Sequence, residues 1–173
     1  MKFMKFPTDS PDTPGMARYL DFLEHAQWRA AQLLRREILG HTFAGRFGAT
    51  GELYFVLDDA APDVPDNKLP IMGFGTQLEQ DFFPIPEFNR FLAFVYVDPT
   101  YRGQHLSTQI IEFLEDRVRE IGEDEVHILT QHTGLYEKMG YEHVREVEDG
   151  VHDEAHLYVK DLTAGAFEDA VKK

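Results

Sequence analysis

The 173-residue chain contains no cysteine, which excludes disulfide bonds, thiolate metal sites and a cysteine nucleophile. Basic residues are scarce, because 17 lysines and arginines stand against 31 aspartates and glutamates and give a formal net charge of −14. A protein with this field repels phosphate backbones, so we expect no nucleic-acid partner. The same field attracts a cationic amine, although an acidic balance is also common among soluble proteins.

Long apolar runs are absent as well. The longest one covers residues 91–97 and is too short to span a bilayer. The basic start of the chain is not followed by the apolar stretch of a signal peptide. We therefore expect a cytoplasmic protein without a membrane partner. Hydrophobic residues still make up 43% of the chain, so the chain is long and apolar enough to bury one hydrophobic core. We therefore expect a single domain over residues 1–173.

Apolar residues at helical spacing predict helices in three places. Thr13 and Pro14 are typical of a helix cap and a first helical position. Gly40 and Gly122 are the predicted stops of the two longer helices. The predicted helices cover residues 17–39, as one long helix or two short ones, 104–121 and 135–139.

Strand patterns alternate with these helices. Residues 90–97 are almost continuously apolar, which is typical of a strand buried on both faces. With the helix 104–121 and the next strand they predict a right-handed crossover between parallel strands. The fold class predicted is therefore mixed α/β, a mostly antiparallel sheet flanked by helices with one parallel strand–helix–strand unit. The predicted strands cover residues 51–57, 71–79, 90–97, 126–130, 141–146 and 156–162.

The most informative segment is residues 95–107. A buried strand stops at Pro99, and a turn with Arg102 and Gly103 leads into the amino terminus of a helix. Such a terminus offers unpaired backbone N–H groups and the positive end of the helix dipole, which together bind anions such as a pyrophosphate. Judged on these residues alone, an ordinary strand-to-helix turn explains the segment equally well.

The same segment resembles the signature of the GNAT superfamily of N-acetyltransferases. That signature is a strand ending in Val-x-Pro, followed by an Arg/Gln-x-x-Gly-x-Gly/Ala turn at the next helix. Residues 97–99 read Val-Asp-Pro, and Arg102 occupies the leading Arg/Gln position. His105 stands where the first glycine of the signature is usual, and Ser107 stands where glycine or alanine is.

A second patch supports the resemblance. Residues 134–141 read Gly-Leu-Tyr-Glu-Lys-Met-Gly-Tyr, which is similar to the Leu-Tyr-x-Lys-x-Gly-Phe segment that follows the next strand in many GNAT enzymes. The resemblance covers roughly residues 53–162 by strand order, with specific motifs only between 95 and 141. It implies a GNAT-like twisted sheet whose parallel strands splay apart around acetyl-coenzyme A, used as a co-substrate without a metal.

The resemblance also implies roles for individual residues. Backbone groups of Val95 and Val97 would bind the pantetheine amides and polarise the thioester carbonyl. Tyr136 matches the tyrosine that protonates the departing thiolate, although a core tyrosine with one hydrogen bond is the plain alternative. The backbone N–H groups implied to hold the pyrophosphate are those of Arg102, Gly103, Gln104, His105, Leu106 and Ser107.

The attacking amine must be neutral, so some group has to accept its proton. Glu79, late in its strand, is the first candidate for this base and His132, after the next strand, is the second. A solvated strand-end charge, a loop histidine and an ordered water are the alternatives. His152 and His156 are four residues apart, but on a strand this spacing separates them by about 13 Å, so no metal site is expected.

These features predict direct acetyl transfer from acetyl-coenzyme A to a primary amine of a small molecule, without a covalent enzyme intermediate. The alternative is a non-catalytic acyl-coenzyme A-binding sensor or scaffold module, and a third interpretation is a fold relative that has lost the cofactor. The acceptor is not predicted beyond a tilt towards a cationic amine. The exposed edges of such a sheet are compatible with a homodimer.

Overall fold

The computed structural model describes residues 1–60, 64–148 and 154–163. Four helices lie on the two faces of one seven-stranded sheet. The strands are β1 (Lys2–Phe6), β2 (Glu52–Leu57), β3 (Ile71–Leu78), β4 (Phe91–Val97), β5 (Glu125–Thr130), β6 (Glu142–Val147) and β7 (Ala155–Asp161). The helices are α1 (Ala17–His25), α2 (Arg29–Leu39), α3 (Phe43–Phe47) and α4 (Leu106–Glu120).

The strands follow the order β1-β2-β3-β4-β5-β7-β6. Every neighbouring pair is antiparallel except β4 and β5, which are parallel and are connected through α4. This arrangement confirms the predicted fold class. None of the helices in the described ranges has the length and hydropathy needed to cross a membrane.

The parallel pair is joined at one end only. Phe91 of β4 and His127 of β5 are in register, and the His127 N–H donates to the Arg90 carbonyl at 2.9 Å. Beyond this point no further residue of β4 is in register with one of β5, although both strands are fully described. The two strands therefore separate towards their carboxyl ends, and this is the splay that the resemblance implied.

A β-bulge lies in β4 beside the splay. Between the register pairs Phe74–Tyr96 and Thr76–Ala93, β3 contributes one residue and β4 contributes two. Phe94, one of the two, has a left-handed φ of 50°, which is rare for a residue with a side chain. Bulges bend a strand and redirect its side chains, so β4 enters the splay with a changed direction.

The core is divided by the sheet into two apolar clusters. In β2 all six residues are buried, and alternate residues point to opposite faces. Phe55 packs in the cluster that contains residues of α1, α2 and α3, whereas Tyr54 and Val56 pack with residues of α4. A strand with both faces covered explains why its sequence is almost continuously apolar.

Two elements were not predicted. The strand β1 pairs antiparallel with β2 along its whole length, from Lys2 opposite Leu57 to Phe6 opposite Leu53. It is an edge strand of five residues, two of them lysines, and its sequence pattern is too short to be recognised without its partner. The helix α3 has only five residues, which is below the length at which helical periodicity is visible.

Several helix boundaries also differ from the prediction. The predicted start at Thr13 was wrong, because the Thr13 hydroxyl donates to the Ser10 carbonyl in a preceding turn and α1 begins at Ala17. The segment 17–39 forms two helices, separated where Trp28 is extended. The carboxy-terminal stops at Gly40 and Gly122 are confirmed.

The helix predicted over residues 135–139 is only a 3-10 turn at 137–139, ended by Gly140 in the left-handed region. The helix predicted from residue 104 starts later, at Leu106, because His105 before it is left-handed. Most of the predicted turn at 148–150, His152 and the tail residues 164–173 lie outside the described residues.

A buried carboxylate ties α4 to the strand β7. Glu115, with 3% of its side chain exposed, accepts two hydrogen bonds from the Lys160 ammonium at 2.9 and 2.8 Å. The Tyr141 hydroxyl donates to the same carboxylate at 2.9 Å, and the Arg119 guanidinium lies 3.8 Å from it. A charge taken out of water in this way is stabilising only while its partners stay in place.

We therefore expect Lys160→Met to lower the free energy of unfolding by about 3 kcal/mol, because it leaves a buried carboxylate with weaker compensation. The measurement is urea unfolding at neutral pH. Lys138→Met is the matched control, since Lys138 is exposed, and it should change the stability by less than about 0.5 kcal/mol. Equal unfolding midpoints for the two variants would contradict this role for the Glu115–Lys160 pair.

Candidate active site

A cleft of about 420 Å³ lies where the end of β4 meets the amino terminus of α4. We call it the turn cleft. Trp28, His132 and Tyr136 reach it from other parts of the chain. Gln104 is not among its lining residues. The residues of the predicted cofactor site that line it are Val95, Val97, Arg102, Gly103, His105, Leu106 and Ser107.

The turn that leads into α4 needs two left-handed residues. Gly103 has a φ of 80° and His105 a φ of 56°. A glycine adopts this conformation freely, but a residue with a Cβ atom does so at a cost of about 1 kcal/mol. The structure thus gives a physical reason for the glycine that the related signature carries at the position of His105.

The amino terminus of α4 faces the turn cleft with free donors. The first N–H groups of a helix have no partner within it, and the side chain of His105, the capping residue of α4, makes no capping hydrogen bond to them. The Arg102 Nε donates to the Val97 carbonyl at 3.2 Å, which holds this side chain against the end of β4. A Cβ atom at Gly103 would have no neighbour within 4 Å. This open, donor-rich concavity fits an anionic group such as a pyrophosphate.

A second cavity of about 670 Å³, which we call the splay cavity, lies between α2 and the separating ends of β4 and β5. Its volume is in the range of a site for a small molecule. Trp28, Val95, His132 and Tyr136 line both this cavity and the turn cleft. The two spaces therefore meet at these four side chains.

Tyr136 lies at this junction and is buried, with 9% of its surface exposed. Its ring packs against those of Tyr141 and Tyr158, each at 5.9 Å between centroids. Burial raises the pKa of the Tyr136 phenol, and a hydrogen bond with the Thr130 side chain lowers it in part. The phenol consequently stays protonated at neutral pH, as a proton donor must.

The two predicted bases are placed differently. His132 follows β5 and lines both cavities, and its backbone N–H donates to the Thr130 hydroxyl at 3.1 Å. Glu79 lines neither cavity. Its carboxylate accepts the Thr50 hydroxyl and the Thr50 N–H, each at 2.7 Å, and these bonds lower the pKa of the Glu79 carboxyl. The structure brings His132 to Tyr136 and leaves Glu79 away from it.

The sequence patterns missed several residues of the splay cavity. Arg29 and Arg36 of α2 line it, as does Asp81, which is 8% exposed and accepts the Phe82 N–H at 2.6 Å. Phe82 lines this cavity too. These residues come from separate elements, so no local spacing could have indicated them.

The part of the chain that the structure describes contains no evident metal-binding site. There, no group of three or more histidine, cysteine, aspartate or glutamate side chains is arranged to hold a metal ion. His156 lies at the start of β7 and packs against His143 at 5.5 Å between ring centroids. Two rings alone supply fewer ligands than a structural metal site requires.

Similar proteins agree with this geometry. Residues 20–141 match the model of the acetyltransferase (GNAT) family, and no curated protein matches the sequence. A solved aminoglycoside 6′-N-acetyltransferase complexed with coenzyme A is similar over 94% of this chain and 97% of its own, with 15% identity and a TM-score of 0.64.

Two further structures assigned to the GNAT family are similar. The protein from Bordetella pertussis has 13% identity and a TM-score of 0.64, over 92% of this chain and 95% of its own. The protein from Desulfovibrio desulfuricans has 16% identity and a TM-score of 0.59, over 93% and 98%. At these identities the likeness supports the fold, whereas the family model matches most of the sequence itself. The chain belongs to the GNAT family of acetyltransferases.

Proposed function

We propose that the protein transfers an acetyl group from acetyl-coenzyme A to a primary amine of a small molecule, by direct attack in a ternary complex. The observation that carries this proposal is the junction of two cavities at the splay. One of them has the donor-rich turn of an anion site, the other has the volume of a small acceptor, and Tyr136 lies where they meet.

The turn cleft supplies what acetyl-coenzyme A needs. The N–H groups of the turn and of the first residues of α4, from Arg102 to Ser107, would hold the pyrophosphate. The pantetheine would lie along β4 beyond Phe91, where the backbone has no partner on β5. Backbone groups of Val95 and Val97 would pair with its amides and with the thioester carbonyl, because polar backbone groups seek hydrogen-bond partners.

Two residues at the junction of the cavities would carry out the two proton transfers of the reaction. The neutral amine attacks the thioester carbonyl carbon, so a C–N bond forms and the C–S bond breaks. The departing sulfur takes the proton of the Tyr136 phenol. His132 accepts the proton of the amine, directly or through a water. Glu79 is the weaker candidate for this base, since Thr50 holds its carboxylate outside both cavities.

Binding of the cofactor is the first test. We expect calorimetric titration with acetyl-coenzyme A to give a micromolar dissociation constant, and His105→Gly to bind at least as tightly, because glycine fits the left-handed φ of 56° and removes a side chain from the cleft. His105→Val is the matched variant. It should lose stability by about 1 kcal/mol or more, since a β-branched residue is strained there. Absence of binding at millimolar acetyl-coenzyme A would contradict the proposed function.

The proton donor is tested by Tyr136→Phe. We expect the turnover rate to fall about 100-fold, the usual contribution of a general acid, with the affinity for acetyl-coenzyme A unchanged. Tyr19→Phe, which removes the hydroxyl of another buried tyrosine in α1, is the control and should keep the rate. Unchanged turnover of the Tyr136 variant across pH would reject its role.

The pH profile distinguishes the two bases. We expect His132→Gln to lower kcat and to change the ascending limb of its pH profile, and Glu79→Gln to leave the shape of the profile unchanged. The pKa of the Glu79 carboxyl is lowered in the folded protein. Its contribution is therefore to stability, present at neutral pH and lost as the pH falls through the folded pKa. A limb abolished by Glu79→Gln alone would reverse the assignment.

A non-catalytic sensor module is the alternative, and the side chain of His105 in the glycine position favours it. Acetyl-coenzyme A that is bound but never consumed in the presence of amines would support that reading.

The cytoplasmic location, the single domain and the homodimer stay predictions. β1 and β6 are the two edges of the sheet at which a second copy would pair. The cationic acceptor predicted from the net charge is also untested.

A further inference from the structure

One face of α2 carries positive charge into the splay cavity. Arg29, Leu33 and Arg36 line this cavity, and their spacing of four and three residues places them on one side of the helix. Arg29 and Arg36 are about 10 Å apart along the helix axis. The opposite side of α2 is buried in the core, so the helix cannot turn these arginines away without losing that packing.

The two guanidinium groups are available to a ligand. Arg29 is exposed and, among the described residues, forms no hydrogen bond or ion pair. The Arg36 side chain lies 3.3 Å from the Glu37 carboxylate but is still 72% exposed, and an ion pair in such a setting is weak. Arg46 stacks on the Phe82 ring at 4.3 Å and adds a third cation near the same wall.

This local charge is opposite in sign to that of the whole chain. Acidic residues outnumber basic ones by 31 to 17, yet the lining of the splay cavity has two arginines and one carboxylate, Asp81. Charges farther away than about 8 Å are largely screened at physiological ionic strength. With Arg46 and with the Glu37 carboxylate 3.3 Å from Arg36, three arginines and two carboxylates lie at or near this wall. These nearby charges therefore have more influence on which acceptor binds than the net charge has.

The remaining walls are mostly apolar and rich in aromatic rings. Trp28, Phe82, Phe83 and Phe94 line the cavity together with aliphatic residues of β4 and β5. A volume of about 670 Å³ exceeds what an amine without a substantial body would fill. Such walls select a ligand with an apolar part of the size of a ring.

Resting on the transferase function proposed above, we propose that the acceptor is an amine with an apolar, ring-sized body and an oxyanion, either a carboxylate or a phosphate. Its amine points towards Tyr136 and His132, its body lies among the aromatic walls, and Arg29 or Arg36 binds the oxyanion. Arginine suits this task because its planar guanidinium pairs with both oxyanions through two parallel hydrogen bonds.

Two pairs of amines test this assignment, and the members of each pair differ in whether they carry an oxyanion. The members with an oxyanion, called anionic here, are 4-(aminomethyl)benzoate and tyramine phosphate, and the counterparts without one are 4-(aminomethyl)benzamide and tyramine. Spermidine represents the cationic class. We expect kcat/KM to be about tenfold or more higher for an anionic member than for its counterpart, as charge-assisted hydrogen bonds give. The pair that shows this preference identifies carboxylate or phosphate.

Arg29→Met and Arg36→Met should reduce the preference of that pair, to a ratio near one for the arginine that binds the oxyanion. Arg145→Met is the matched control, because Arg145 lies on the edge strand β6 outside both cavities and pairs with Glu87. Affinity for acetyl-coenzyme A should stay the same in all three variants. Equal use of the members of every pair, a preference for spermidine, or loss of the preference in Arg145→Met would overturn the assignment.

Binding can be followed without turnover. Trp28 is the only tryptophan of the chain and lines the splay cavity, so an acceptor that enters should quench the fluorescence saturably. Trp28 also lines the turn cleft, so the quenching is measured in the Arg29→Met and Arg36→Met variants as well. Quenching by the anionic compounds that one of these substitutions weakens, without consumption of acetyl-coenzyme A, would support the oxyanion site and contradict the transferase function. Turnover without preference for the anionic compounds would contradict the acceptor class alone.

Discussion

The separation of β4 from β5 is the constraint on which the rest of the site depends. A parallel pair normally satisfies its backbone groups along its whole length, but here only Phe91 and His127 are in register. Unpaired backbone donors and acceptors are costly when they are buried. The open stretch of β4 therefore needs a partner that is not a strand, and the two cavities exist because the strands do not close the gap.

The closed end of the splay is held by a buried arginine. Arg90 donates to the Gln77 side chain at 2.7 Å and to the Thr50 hydroxyl at 3.2 Å, and its guanidinium lies 3.3 Å from the Glu123 carboxylate. Of the four left-handed residues other than glycine in the described ranges, three lie here: Arg90 at the base of the splay, Phe94 in the bulge and His105 in the turn. Backbone strain is thus concentrated around the stretch where β4 separates from β5, and the packing around it supplies the compensation.

Charge acts at two ranges in this protein. The net charge of −14 describes the field that a distant molecule meets, which governs encounter and solubility. Inside the splay cavity the nearest charges have the larger effect on a bound molecule, and Arg29 and Arg36 of α2 bring cations there. Composition alone led to a cationic acceptor, whereas the lining favours an anionic group, because a composition contains no information on where its charges lie.

The sequence by itself determined the fold class, the parallel crossover, the turn at Arg102 and Gly103 and the family, since these depend on local periodicity, helix capping and short motifs. It did not indicate β1, whose pairing partner lies some fifty residues away. Only the tertiary structure separated His132 from Glu79, because the two follow different strands and their distance from Tyr136 depends on the sheet order. The splay cavity was likewise decided by the packing of α2 against the separating strands, which joins residues far apart in the chain.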